Sequence, residues 1–514
     1  MTANTSVPFR LGRINPKIIM NSKSLFWLPG LVAALLLLPV AVPAQFLFTT
    51  NNGAITITQY TGSGGDVVIP DTINGLKVAV VGSAAFYQIS ALTSVTFGTN
   101  VTTIANNAIF QCPNIASVSI PASVTNIGTG PVIDCKSLAS IQVDPANSFY
   151  TNVNLALLNT RLTSLIEFPN GIGGGYVLPA TVTNVGQAFI GNSLTSITVS
   201  PANTYFTNLA GVLTDKSRTY LVSYPGGVAG SYVVPSNVTT IVSAAFEYST
   251  GVTNVAIGTN VNSVGLFAFY DCPNLIAISV NPTNAFFSSS NGVLFDKNKI
   301  TLIQFPIAVG GSYQVPNSVL HIGEGVFGDD FGLTSIAIAN SVTNIDQQAF
   351  YGCLNLASVS LGENLKTIGA NAFFYCEALT DLAFPAGLSS IGQYAFGGCQ
   401  SLSSVCFAGN QPTDGGSIFY FDNALSTILY LNGTSGWGAS YDGIPTAPCS
   451  VCGNSSPQLF IAQSGINVIL TWSATGFGLQ STTNLTSPVW TLVYGQNSVT
   501  NPISGAKMFY RLSQ

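Results

Sequence analysis

Imidazole chemistry has one representative in this chain, His321, whereas thiol chemistry has nine. A single histidine excludes a histidine-rich zinc site and most acid–base pairings built on imidazole. His321 stands in Val319-Leu320-His321-Ile322, at a place filled elsewhere by Asn126, Ser263 and Asn344, and reads as an ordinary surface position. Cysteine gives the stronger signal. Cys112, Cys135, Cys272, Cys353, Cys376 and Cys399 share one repeated slot, and free cysteine behaves as a small buried hydrophobe. They read as a structural ladder rather than as nucleophiles. Neighbouring strands about 5 Å apart would fit a disulfide, but side chains aimed inward in parallel need not reach its torsion. Cys449-Ser450-Val451-Cys452 lacks the βαβ setting of a redox motif and the second pair of a zinc site, so a local disulfide is the expectation. The adjacent acids Asp329 and Asp330 match no calcium loop and read as solvated turn residues. No phosphate loop, nucleophile elbow or supported carboxylate pair occurs. We therefore expect no catalysis, no cofactor and no metal.

What positions these residues is a repeat. Phe327, Phe350, Phe373 and Phe396 recur every 23 residues, and Cys353, Cys376 and Cys399 keep the same step. Asp330 takes the cysteine slot of the first unit. Between them the apolar residues alternate, as in Leu356, Val359 and Leu361, which reads as a strand with one face inward. A turn follows at Pro316, Ala339, Gly362, Pro385 and Ala408, and then a second apolar pair such as Val342 and Ile345. A fixed period of this size marks a solenoid, whose single coils cannot bury their apolar faces alone. The phenylalanines and cysteines should therefore stack in two buried columns.

The unit resembles the BspA-like leucine-rich repeat, in register from about Ile69 to Gly409. The resemblance implies a secreted or cell-surface, non-enzymatic, ligand-binding solenoid. Earlier in the chain Phe86 and Phe110 fill the aromatic slot, and Ile133 replaces it in the next coil. After Pro145 the period breaks three times in the same way. Pro145 to Pro179, Pro201 to Pro235 and Pro282 to Pro316 are each 34 residues. Each insert opens on Asn and two aromatics: Asn147, Phe149, Tyr150; Asn203, Tyr205, Phe206; Asn284, Phe286, Phe287. Each closes on Tyr176, Tyr232 or Tyr313. Residues 147–178, 203–234 and 284–315 should therefore share one strand-rich conformation.

The expected fold is mainly β: a solenoid of 23-residue coils with three 34-residue inserts and a small C-terminal β domain. Residues 1–44 carry four basic residues and no acid ahead of the apolar run Leu25 to Val42, and read as a signal peptide or, alternatively, an N-terminal anchor. Met20 offers a second start that gives an ordinary basic leader. Residues 45–79 read as an N-terminal cap, 80–409 as the solenoid, and 410–445 as a C-terminal cap with Trp437 over the last coil. Residues 446–457 read as a linker, and 458–514 loosely resemble the β-sandwich tails of exported bacterial proteins.

Charged residues are only 6% of the chain. Beyond the leader, 10 basic residues face 19 acids, which argues against nucleic acid and against an electrostatic membrane patch. No membrane contact is expected once the leader is removed. The outward strand positions, among them Ser94, Ser117, Ser119, Ser358 and Ser360, are small and offer no anchor. Aromatics gather in the inserts, so Tyr205, Phe206, Tyr232, Phe286, Phe287 and Tyr313 are the candidate binding surface. The expected role is a secreted or surface-displayed scaffold for adhesion to a protein or an extracellular polymer. Alternatives are a spacer or self-assembling surface-layer element, and a protein that binds or acts on polysaccharide.

Overall fold

The computed structural model describes residues 45–452 and the strands 459–464, 467–472, 478–482, 491–493, 498–502 and 509–513. The basic–apolar leader and residues 453–457 of the stretch read as a linker lie outside the described residues. Described secondary structure is all strand and turn, as the alternation predicts. Among the described residues no helix is long and apolar enough to cross a membrane. The chain divides into two compact units: Met1–Ile172 with Val182–Phe189, and Gly173–Thr181 with Ile190–Gln514.

In the first unit the hairpin Phe46–Asn51 and Ala54–Tyr60 pairs antiparallel. Its second strand then continues in parallel to Leu76–Val81, Thr103–Ile104 and Asn126–Ile127. A second parallel ladder runs through Gly65–Val68, Leu92–Thr96, Ser117–Ile120 and Ser140–Val143. A third joins Phe86–Tyr87, Ile109–Phe110 and Val132–Ile133. This third ladder corrects the sequence register by one residue. Phe86 pairs with Ile109 and Ile109 with Val132, so these fill the inner slot, while Phe110 faces Tyr87 and is half-exposed. Two apolar residues stand side by side at 109–110 and at 132–133, and only their distance from Cys112 and Cys135 decides which points inward.

The second unit holds the regular coils. Asn344–Ile345, Thr367–Ile368 and Ser390–Ile391 pair in parallel, each 23 residues from the last. Backbone bonds link coils through the turns as well: the Gly369 N–H donates to the Ile345 carbonyl and the Gly392 N–H to that of Ile368, both at 2.8 Å. Each coil thus satisfies the polar backbone of the next, which is what allows such short strands to be buried. The rings of Phe327, Phe350, Phe373 and Phe396 are fully buried and nearly parallel, with centroids 4.7, 4.7 and 5.1 Å apart. The column continues to Phe419, 5.8 Å from Phe396, with Asp422 in the cysteine slot and Leu425 and Ile428 behind it. One more coil therefore lies beyond Gly409, in the stretch read as fading into a cap.

Covering follows at Trp437, whose ring lies 5.0 Å from Phe407 and stacks on Tyr430 at 5.1 Å, while its Nε1–H donates to the Gly409 carbonyl. Ile444–Cys449 is a strand parallel to Ile428–Leu431 and antiparallel to Ser440–Tyr441. Residues 446–449 are thus sheet rather than linker. The sequence misled there because Pro445 and Pro448 suggest a breaker, whereas strand ends and edges tolerate proline. The C-terminal strands form two three-stranded antiparallel sheets, with Leu470 and Leu479 buried.

Candidate functional site

Each insert is built on a buried asparagine. Asn284 is fully buried: its Oδ1 accepts from the Phe286 and Phe287 N–H groups, and its Nδ2 donates to the Gly258 and Val261 carbonyls of the preceding coil. Asn147 repeats all four bonds, onto Phe149, Tyr150, Pro121 and Val124. Asn203 caps Tyr205 and Phe206 and reaches the Pro179 carbonyl. A hairpin follows in identical register: Tyr150 opposite Asn159, Phe206 opposite Asp215, Phe287 opposite Asp296. These last three residues cap the next turn with their own side chains, as Asp296 does for the Ile300 and Thr301 N–H groups. A third strand returns at Leu165–Glu167, Tyr220–Ser223 and Thr301–Gln304, with the same irregularity in pairing. The three inserts are one structure made three times.

That structure splits the candidate aromatics. Phe287 is 9% exposed and belongs to the core. Tyr313 packs against Phe305 at 4.7 Å and Tyr232 against Tyr224 at 5.0 Å, and burial pushes both phenols up. Phe206 is half-buried. Tyr205 and Phe286 remain outward at 58% and 52% exposed. Phe149, at 49%, holds the same position in the first insert and was missing from the candidate set. Its signal was present in the sequence, two residues after the capping asparagine in all three inserts. The asparagine fixes the backbone so that the first aromatic points out while the second lines the hairpin.

The serine face behaves as its composition suggests: Ser117, Ser119, Ser358 and Ser360 are half-exposed and small. His321 sits in the strand ladder opposite Thr301 and Asn344. Beside it runs an open groove of about 550 Å³, lined by Glu324, Asp346, Gln347, Thr367, Ser390 and Asp414. Gly369, Gly392 and Gly415 line it too, and a Cβ at any of them would come within 2.4 Å of a backbone nitrogen of the preceding coil. Burial raises the Asp346 carboxyl, with His321 pulling the other way. Sequence reasoning passed over this groove, although the repeated isoleucine–glycine step at 368–369 and 391–392 marks it.

Asp329 and Asp330 are not solvated. Asp330 is fully buried in the cysteine slot, where its Oδ1 accepts from the Gly332 and Leu333 N–H groups. Its other oxygen meets no hydrogen-bond partner among the described residues, and burial pushes the carboxyl up to about 7. Asp422, in the same slot, is pushed up to about 8. Asp329 accepts the Tyr270 hydroxyl at 2.8 Å. Adjacent acids suggested a loop, but their register places one of them on the ladder.

The ladder thiols are buried and face carbonyls. Cys272, Cys353, Cys376 and Cys399 each donate to the backbone oxygen of the phenylalanine one coil back, at 3.0 to 3.3 Å. Burial raises all six ladder thiols, which suppresses the nucleophilic thiolate. Cys449 and Cys452 do not pair with each other. Cys452 is bonded to Cys406 across 46 residues, and Cys449 stays free beside them. The last strand returns alongside the final coil, so a distant cysteine is nearer than the neighbour in sequence.

The model of the BspA type leucine rich repeat region matches the chain in six copies, over residues 64–173, 229–311 and 320–437. No curated protein matches significantly. The chain is similar to three solved structures, among others. A leucine rich cell surface protein from Faecalibacterium prausnitzii is 23% identical over 77% of this chain and 96% of its own, with a TM-score of 0.38. The pneumococcal vaccine antigen PcpA is 17% identical over 75% and 86%, with a TM-score of 0.32. A leucine-rich repeat protein from Eubacterium ventriosum is 20% identical over 68% and 91%, with a TM-score of 0.30.

Proposed function

Because the chain belongs to the BspA-type leucine-rich repeat family, we propose that it is an exported, surface-displayed scaffold that performs no chemistry and binds a partner through the outward aromatics of its inserts. The observation that supports this reading is the equivalence of Phe149, Tyr205 and Phe286. Three separate inserts each spend a buried asparagine on holding one large ring about half exposed. A ring fixed by its own backbone loses little entropy on binding, having only two side-chain torsions. Export is supported by the basic leader and apolar run of residues 1–44. A surface with so few charges suits a protein or neutral extracellular polymer better than a polyanion.

The test is a binding screen of the mature chain against host-matrix proteins, neighbour-cell extracts and neutral polysaccharides, followed by alanine at Phe149, Tyr205 and Phe286. Loss of binding in these variants supports the reading. A partner retained equally by all three variants removes the inserts from the interface. Self-association alone, with no partner captured, would favour a spacer or surface-layer element.

A further inference from the structure

Six of the nine cysteines are accounted for by the ladder, and the remaining three meet at one place. Cys406 lies on the strand Ser404–Phe407, Cys449 ends the strand Ile444–Cys449, and Cys452 follows three residues later. Cys452 is bonded to Cys406. The free Cys449 sulfur stands 3.4 Å from that of Cys406 and 3.6 Å from that of Cys452. Both members of the bond are therefore within van der Waals reach of one thiol. Cys449 is half-exposed, unlike every ladder thiol, so solvent reaches the group that would react. The two bonded sulfurs are held by different parts of the chain. The Cys406 strand is fixed in the sheet between Asp381–Phe384 and Ile428–Leu431, and Cys452 lies against the Phe407 carbonyl at 3.1 Å.

We propose that Cys406, Cys449 and Cys452 form a thiol–disulfide exchange site, at which Cys452 trades its bond between Cys406 and Cys449 and through which a low-molecular-weight thiol can enter. In the internal step the Cys449 thiolate attacks the Cys452 sulfur. The Cys449–Cys452 bond forms, the Cys406–Cys452 bond breaks, and Cys406 leaves as thiolate and takes the proton that Cys449 gave up. In the external step a small thiolate attacks Cys452, forms a mixed disulfide and releases Cys406. Cys449 then attacks the mixed disulfide and expels the small thiol. Neither route consumes an oxidant or reductant. The covalent tie moves from the strand Ser404–Phe407 to the strand Ile444–Cys449, so the chain after Cys452 is fastened either to the coil before the last or to the closing strand alone.

The full chain can be incubated at pH 8 with a trace of glutathione, quenched in acid, alkylated and mapped by peptide mass. One thiol per native chain should alkylate, divided between Cys449 and Cys406, with at least a tenth on Cys406. In Cys406→Ser, a Cys449–Cys452 bond should form when oxidised glutathione is added to the buffer, the glutathione disulfide being reduced to two thiols as the bond closes. Continued protection of the six ladder thiols reports that this variant has folded. In Cys449→Ser, the Cys406–Cys452 bond should persist and no native thiol should react. Alkylation confined to Cys449 after prolonged incubation overturns the proposal. So does a folded Cys406→Ser chain that keeps both remaining thiols free under conditions that oxidise the parent.

Discussion

The Cys376 thiol donates to the carbonyl of Phe350, 26 residues earlier, at 3.3 Å. The same bond joins Cys353 to Phe327 and Cys399 to Phe373, so the two columns that run through the coils are cross-linked by hydrogen bonds as well as packed. The slot takes a small side chain, and Asp330 and Asp422 fill it where cysteine does not. Ser249 fills it three residues after Phe246 and is 2% exposed. We expect Cys376→Ala, which removes the donor and leaves a void, to cost about 1–3 kcal/mol. Cys376→Ser should cost less than Cys376→Ala in denaturant titration. A serine variant weaker than the alanine one would show that the thiol is there for its volume alone.

Phe373 lies between two parallel rings at 4.7 and 5.1 Å, with none of its surface exposed. Phe373→Ala should lose about 3–5 kcal/mol, as for a buried aromatic whose site cannot collapse. Because coils contact only their neighbours, the loss should be local. Hydrogen exchange should quicken first in residues 350–396 and leave the first unit unchanged. Uniform loosening of the whole chain would contradict a nearest-neighbour stack.

Much of this was legible because the repeat writes each contact many times. Phe350, Phe373 and Phe396 declared a column by spacing alone, and the stacking follows. What the period could not reveal is the backbone between the columns. Each ladder phenylalanine is flanked two residues on either side by left-handed residues: Asn371 and Tyr375 around Phe373, Gln348 and Gly352 around Phe350. Only Gly325, Gly352 and Gly398 advertise this, since most of these positions carry side chains that tolerate the strain at a cost the stack absorbs. The burial of Asp330, although its slot was recognised, and of Asp422 was missed for the opposite reason. Their type suggests solvent, and only their distance from Phe327 and Phe419 places them inside. The inserts showed their equivalence in sequence, but which of two adjacent aromatics points outward depends on the hydrogen bonds of Asn284 and its counterparts.

The buried carboxyls carry a pH dependence with a definite sign. Asp330 and Asp422 are raised by burial to about 7 and about 8, above the ordinary value of 3.8. Between about pH 4 and these values the folded chain holds protons that the unfolded chain has released. Stability is therefore full below the unfolded value and falls as pH rises through the folded ones. Each carboxyl contributes a slope of up to about 1.4 kcal/mol per pH unit in that window. Asp215 shifts the other way, but its effect is confined to more acid pH. Denaturant midpoints at pH 5.5 and 8.5 should favour the acid side. Asp330→Asn with Asp422→Asn should reduce the difference, because an amide stays neutral throughout, while Glu167, also raised by burial, keeps part of it. An unchanged slope in the double variant would place the proton uptake elsewhere.

The insert asparagine is the most demanding single residue outside the columns. Asn284 makes four hydrogen bonds with no surface exposed, two to its own hairpin and two to the coil before it. Asn284→Ala strands two N–H groups and two carbonyls, each worth about 1 kcal/mol or more, and should cost about 3 kcal/mol or more. Asn284→Asp keeps the acceptor for Phe286 and Phe287 but sets a carboxylate against two carbonyls, so it should fare no better than alanine. Stability alone would not separate the insert's structural role from its proposed binding role.

Surface variants separate them. Tyr205 and Phe286 project from equivalent turns without supporting the core, so Tyr205→Ala and Phe286→Ala should change the denaturant midpoint little. For a partner captured in the screen, each should weaken binding by about 1 kcal/mol or more, a factor of five or so in the dissociation constant. The double change should weaken it further. Ser117→Ala, Ser119→Ala, Ser358→Ala and Ser360→Ala should leave affinity within about twofold, because a half-exposed serine offers little area and no anchor. Calorimetry on the six single variants measures both halves of this expectation. A serine face that is sensitive while the two aromatics are silent would put the interface on the strand ladder and leave the inserts as spacers between coils.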